Sequence, residues 1–291
     1  MTTRSAAPFA GIDWLKNAVG LIAKRPGTLM GAAAWMLLVA FAPTAITLPL
    51  QLQNPGSMTV LVISFGISLV ASLLMAPMMG GYLKLIDSIE RGEAAGASDV
   101  FGPFRQGTAL RLIGFALLFM VVFFLAIAAV VVVFSGSIFQ WYTASLANPA
   151  AHLAPPSGFW VVMAVVMVAA LLSMGVTSLG YGQVAIGGRG ALAALGDGAV
   201  GTIKNVVPLF VLFIASIVVG VCACIVMGVV VALLSVLSLF GSQSAWGLVV
   251  VIPLYIALML VMYPIMFGVM YHFWRDVCGQ DRPNAMAQTL A

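Results

Sequence analysis

Charge is what this chain has least of. Of 291 residues only 7% are Asp, Glu, Lys or Arg, while 63% are hydrophobic. A soluble domain carries about 25% charged residues, so an ordinary globular protein is excluded. Cysteine is also sparse. Cys222 and Cys224 fall inside an apolar run and Cys278 follows the last one, so no disulfide framework is indicated. Two residues apart on a helix, Cys222 and Cys224 point to different faces and do not share a metal. The two histidines, His152 and His272, are expected on opposite sides of a membrane, which excludes a metal site built from both. The net charge of +4 is modest and does not suggest nucleic acid as a partner.

The few charges are clustered. None lies between Arg25 and Lys84, between Arg111 and Arg189, or between Lys204 and Arg275. A membrane-crossing helix needs roughly 20 apolar residues, so each charge-free block holds two crossings and a turn. The expected fold is an all-α, polytopic membrane protein forming one integral membrane domain over 1–291. Its six spans are placed near 28–50, 58–83, 112–137, 159–186, 206–238 and 246–273. The third and fifth apolar runs exceed one straight crossing and should tilt or project. Turn chemistry splits the blocks at Gln53-Asn54-Pro55-Gly56, at Asn148-Pro149 with Pro155-Pro156, and at Gly241-Ser242-Gln243-Ser244. The first apolar run begins late, near Thr28, and is long enough to span, unlike a cleaved signal peptide.

All 12 Lys and Arg residues fall in the tails and in the two connections that follow the even-numbered spans. Positive residues mark the cytoplasmic side, so both termini are expected there. Trp141, Tyr142, Trp160, Trp246, Tyr271 and Trp274 fall near span ends, at the depth that aromatic rings favour.

Before the first span, Phe9, Ile12, Leu15, Val19 and Ile22 recur at spacings of three and four, with Asp13, Lys16, Asn17 and Lys24 between them. That pattern predicts an amphipathic helix near 8–25 lying in the membrane interface. Pro26-Gly27 then turns the chain inward. Val100, Phe101, Phe104 and Leu110 suggest a second such elbow near 97–110. Leu192, Leu195, Val200 and Ile203 suggest a third near 190–204. The run Leu15-Lys16-Asn17-Ala18-Val19 echoes Ile203-Lys204-Asn205-Val206-Val207. Pro77 through Gly81 and Pro264 through Gly268 each place a glycine four residues after a proline. The chain therefore reads as three parallel copies of elbow helix plus hairpin.

The segment Tyr271-His272-Phe273-Trp274-Arg275-Asp276-Val277 resembles the C-terminal signature of an uncharacterised family of six-span proteobacterial inner-membrane proteins. Gly11 through Leu15 with Lys24-Arg25-Pro26, and Pro77 through Asp87 with Glu90, Arg91, Gly92, Phe101 and Phe104, are similar to the same family. Cys278 departs from it, since members carry an aromatic residue there. The layout is distantly like the membrane domain attached to some bacterial glycerophosphodiester phosphodiesterases, without their soluble catalytic domain. The resemblance implies the fold and a bacterial inner membrane, and no activity.

Chemistry-bearing residues are few. No span has an ionisable group near its middle, where one costs about 2.5–3.5 kcal/mol and marks a proton or ion path. This argues against a proton-coupled transporter and an intramembrane metalloprotease. Lys84, Asp87, Glu90 and Arg91 follow the second span at helical spacing, and Arg275 and Asp276 follow the sixth. They read as solvated helix ends, or more sharply as a network of Asp87, Arg91, Arg275 and Asp276 in which Asp87 pairs with Arg275. Ser64, Ser68, Ser72, Ala76 and Gly80, and likewise Ser216, Gly220, Cys224 and Gly228, recur every four residues. Such ridges of small residues predict tight helix seams, the serines alternatively lining a hydroxyl path. Ser173, Thr177, Ser178, Tyr181 and Gln183 could line a polar cavity, with Gln183 bonded to Thr177, Ser178 or Tyr181.

These features point to a non-enzymatic membrane-organising or accessory protein. Its partners would be membrane lipids, with another envelope protein or a second copy of itself, and no cofactor is expected. A transporter or channel for lipid-like or small neutral molecules is the alternative. An enzyme would need Asp87, Glu90, His272 and Asp276 to converge.

Overall fold

The computed structural model describes residues 3–147, 154–236 and 245–279. His152, the Asn148-Pro149 and Gly241–Ser244 turns and Arg282 lie outside them. The described chain is helical: α1 (Ala10–Lys24), α2 (Pro26–Gln53), α3 (Met58–Glu90), a 3-10 turn (Ala97–Phe101), α4 (Gly102–Arg105), α5 (Ala109–Ala147), α6 (Phe159–Ala185), α7 (Ala191–Lys204), α8 (Val206–Val236) and α9 (Ala245–Cys278). Six of these, α2, α3, α5, α6, α8 and α9, are long and apolar enough to cross a membrane. The chain is a multi-pass membrane protein.

Local chemistry sets the boundaries. Arg25 leaves helical geometry, and Pro26 opens α2 at a position where its missing N–H costs nothing. Gly56, at φ +80°, supplies the left-handed residue of the α2–α3 turn, and the Ser57 hydroxyl caps α3. The helices overrun several expected ends: α3 continues past 83 to Glu90, α5 past 137 to Ala147, and α9 past 273 to Cys278. At 39 residues α5 is about 58 Å long at ~1.5 Å per residue, so it projects beyond a ~30 Å hydrocarbon core. The second elbow is shorter than expected. It ends at Arg105, and Gly107 at φ +71° turns the chain so that Leu110 already belongs to α5.

Packing follows a simple plan. Helices α3, α6 and α9 contact one another at the centre. Around them, α2 lies against α3 and α9, α5 against α3 and α6, and α8 against α6. The short elements cover one end of the bundle. Helix α1 packs on α8 and α9, the 3-10 turn on α2 and α3, and α7 on α5 and α6. Each elbow thus rests mainly on the helix pair before it, and the first rests on the last pair.

Burial is concentrated at the elbow end. Ala76 to Ile89 of α3, Gly175 to Ala185 of α6 and Phe267 to Cys278 of α9 supply most of the core. Toward the other end Val62 and Phe65, Trp160 and Val161, and Ile252 and Tyr255 are exposed. The helices are close-packed at the elbow end, and toward the other end many of their apolar side chains face outward, where lipid is their natural neighbour.

Candidate functional site

The expected Asp87–Arg275 pair does not form. Of the four residues expected in one network only Asp87 and Arg91 bond to each other, while Arg275 and Asp276 take other partners. Helices α3 and α9 run side by side in the same direction and end together. The Tyr271 hydroxyl donates to Asp87 Oδ1 at 3.0 Å, and Arg91 holds Asp87 Oδ2 at 3.0 Å. One turn further along both helices, the Arg275 guanidinium donates to Glu90 Oε2 at 3.2 Å. Glu90 Oε1 accepts from Lys24 of α1 at 2.6 Å. Arg275 therefore pairs with Glu90, one turn along from the expected Asp87, because Tyr271 occupies the position opposite Asp87. Asp276 accepts from Trp14 Nε1 at 2.7 Å, which ties it to α1. Glu90, which the expected network does not include, is the acceptor that joins three helices.

Asp87, Glu90, His272 and Asp276 do gather at this junction. Each carboxylate is engaged by donors, however, and neither ring nitrogen of the buried His272 has a hydrogen-bond partner among the described residues. Tyr271 and Trp274 are buried rather than facing lipid. The helix ends converge here, so interfacial depth coincides with the protein interior.

The polar side chains of α6 are largely spent on bonds and packing within the protein. Thr177 donates to the backbone carbonyls of Ser173 and Met174, and Ser178 to that of Met174. The Tyr181 ring packs edge-on against Phe115 with centroids 5.0 Å apart. Gln183 is fully buried, and its Nε2 donates to Asp197 Oδ2 at 3.0 Å, where Arg189 also bonds at 3.1 Å. The expected partners fail on geometry. Two residues along a helix is a turn of about 200°, which aims Gln183 away from Tyr181 and toward α7. Asp197, unweighed in the sequence, is the only carboxylate on α7.

A third junction closes the ring of helices. Asn205 donates to the Arg4 carbonyl at 2.9 Å and accepts from the Ala6 N–H at 2.7 Å. The Arg4 N–H donates to the Val277 carbonyl at 3.0 Å. Buried Asn205 ends α7, whereas Asn17 is exposed in mid-helix. The echo between their two segments is therefore not a structural equivalence.

The small-residue ridges divide. Ser64 is buried and accepts from Gln51 of α2. At Gly80 a Cβ would meet the Leu112 side chain of α5 at 2.6 Å. Ser68 and Ser72 are exposed, and Ser72 bonds its own helix at Leu69, so they form neither a seam nor an enclosed path. On α8, Ser216 is exposed and Gly220 and Gly228 face open space. The ridge expected there is not a protein seam, because α8 stands away from its neighbours at that level.

The glycines four residues after Pro77 and Pro264 have a different use. Gly81 lies against the Val100 carbonyl of the second elbow, leaving no room for a Cβ. A Cβ on Gly268 would stand 2.8 Å from Ala18 of α1, and one on Gly175 2.6 Å from Thr202 of α7. Each central helix thus carries a glycine where an elbow presses on it.

Cavities open between these elements. A polar one of about 710 Å³ lies among the ends of α3 and α6 and the second elbow, lined by Lys84, Asp87, Arg91, Asp99 and Arg105. An apolar one of about 660 Å³ lies among α5, α6 and α7, and another of about 340 Å³ lies between α8 and α9 over Leu15 and Met174. Comparison with family models, characterised proteins and solved structures finds no match.

Proposed function

We propose that this is a non-enzymatic bacterial inner-membrane protein with a membrane-organising or accessory role, in which the elbow helices hold the bundle together and grip lipid. The observation that carries this reading is the double use of α1. Its Trp14, Ala18 and Leu21 are buried against the bundle, while Phe9, Ile12 and Val19 are 69%, 47% and 51% exposed. An amphipathic helix with a second apolar face turned outward, lying where aligned spans end, has lipid as its natural partner. Leu192, Val200 and Ile203 repeat the pattern on α7. The same reading takes the chain as three elbow-plus-hairpin repeats around one axis, with both termini in the cytoplasm. The cyclic docking of elbows and the three matching glycines support that symmetry.

The test is quenching by brominated lipid of a fluorophore on single cysteines in a cysteine-free background. Labels at Ile12 and Val19 should be quenched strongly and a label at Asn17, exposed on a different face of α1, weakly. Equal weak quenching at all three would remove the lipid-gripping role. Lipid hydrolysis by the purified protein, abolished by one substitution, would remove the non-enzymatic one.

The alternative is a transporter or channel for lipid-like or small neutral molecules, favoured by the two apolar cavities. Against it stands the close-packed elbow end, where Tyr82 and Phe267 stack with centroids 4.5 Å apart. Flux of a neutral solute into liposomes would decide for it.

A further inference from the structure

The polar cavity at the elbow end has a composition that lipid contact alone does not require. Its volume, about 710 Å³, falls in the range of small-ligand sites, ~300–1,000 Å³. Three cations converge on it from two segments: Lys84 and Arg91 from α3, and Arg105 from α4. Only two carboxylates line it, and Asp87 is already engaged by Tyr271 and Arg91.

Donors remain to spare on all three cations. Among the described residues Lys84 makes no ion pair. Its one bond is to the neutral Gln106 Oε1 at 2.7 Å, which leaves two ammonium N–H groups and turns the Gln106 amide N–H groups free. Arg105 is 67% exposed, approaches Asp99 only at 3.9 Å and bonds the Ser98 carbonyl at 3.3 Å, with most of its five N–H donors unused. Arg91 meets Asp87 and Glu93 through Nε and Nη2, leaving its far edge open. Ser88 adds a hydroxyl to the wall, and Ala185 and Ile186 of α6 close the other side.

We propose that this cavity binds a phosphate ester, its oxygens held by Lys84, Arg91 and Arg105 and its organic part lying against Ala185 and Ile186. Two guanidinium forks and an ammonium arriving from different directions suit a group with three or more oxygens better than a planar carboxylate. Excess positive charge at a membrane surface favours an anionic headgroup, and a soluble phosphorylated solute offers the same chemistry. The headgroup source rests on the membrane-surface placement proposed above, and the solute source does not.

The experiment uses the full chain in maltoside micelles, with two probes measured separately: sn-glycerol 3-phosphate by equilibrium dialysis, and added dioleoyl phosphatidylglycerol by native mass spectrometry. Lys84→Gln and Arg105→Gln should each weaken binding about tenfold, while Lys16→Gln, an equal charge loss on the exposed side of α1, should not. Both variants lie at least partly in solvent, and matched elution on size exclusion checks their fold. Saturable binding of either probe with this pattern supports the site and names its source. Binding of neither probe at millimolar concentration, or equal loss in all three variants, overturns it. Binding of glycerol phosphate without any elbow quenching by brominated lipid would leave the site standing and the lipid-gripping role refuted.

Discussion

Glu90 and Arg275 meet at 3.2 Å across the ends of two helices that are nearly two hundred residues apart in sequence. The Glu90 side chain is only 15% exposed and also receives Lys24 from α1, so one carboxylate neutralises two cations on two other elements. Exposed ion pairs contribute little, about 0.2–1 kcal/mol, but a partly buried charge left alone costs more.

Glu90→Gln should therefore lower stability by about 1–2 kcal/mol, because it strands both cations at a crowded junction. Thermal unfolding in micelles, followed by size exclusion, measures it. The double variant Glu90→Gln with Arg275→Gln should lose less than the sum of the two single changes. Strict additivity would mean that the pair does not couple.

The elbow glycines give a second, sharper contrast. Gly81→Ala would drive a methyl into the Val100 carbonyl, and Gly268→Ala one into Ala18. Each should cost about 1–3 kcal/mol through forced backbone shifts. Gly220→Ala and Gly228→Ala meet nothing within 4 Å and should be neutral, or stabilising by up to ~1 kcal/mol through helix propensity. Yields of monodisperse protein, compared across the four variants, check the ranking. Equal yields would show that the elbows do not press on the central helices.

The spans were legible because lipid leaves the backbone no choice. Every N–H must be paired within its own helix, and a charge-free run long enough to cross is visible without any knowledge of neighbours. What the spans touch was not legible. Asp87 and Glu90 both lie near the face of α3 that meets α9, and only the relative slide of the two helices decides which receives Arg275. Trp14 was passed over because the visible apolar stripe of α1 is the exposed one. The buried face, Gly11, Trp14, Ala18 and Leu21, mixes small residues with one ring, a pattern set by close packing rather than by hydrophobicity. Asp197 was missed for a related reason. A single acidic residue on a short helix reads as a solvated group until its buried partner is seen.

Ser68→Leu and Ser72→Leu should leave folded protein, since both positions are exposed and lipid accepts leucine readily. Ser64→Leu should be costly by about 1–2 kcal/mol, because it puts a larger side chain at a buried position against α2 and removes the bond from Gln51. Melting temperatures of the three variants in one detergent give the order. Loss of folded protein in Ser68→Leu would restore the seam.

Gln183 offers the clearest separation of shape from charge. Its Nε2 is committed to Asp197, and its Oε1 has no partner among the described residues. The amide cannot usefully flip, because Oε1 would then face the carboxylate. Gln183→Met keeps the volume, gives up one hydrogen bond and removes the unsatisfied acceptor, so its cost should be about 1 kcal/mol or less. Asp197 still keeps Arg189 in that variant. Gln183→Glu changes almost no shape but sets a second carboxylate against Asp197 in a fully buried position. It should cost about 3–5 kcal/mol, enough to empty the monodisperse peak at neutral pH. Partial recovery on acidification, as one of the two carboxylates takes a proton, would identify like-charge repulsion as the cause. Equal behaviour of the Met and Glu variants would mean that Gln183 is not held against Asp197 at all.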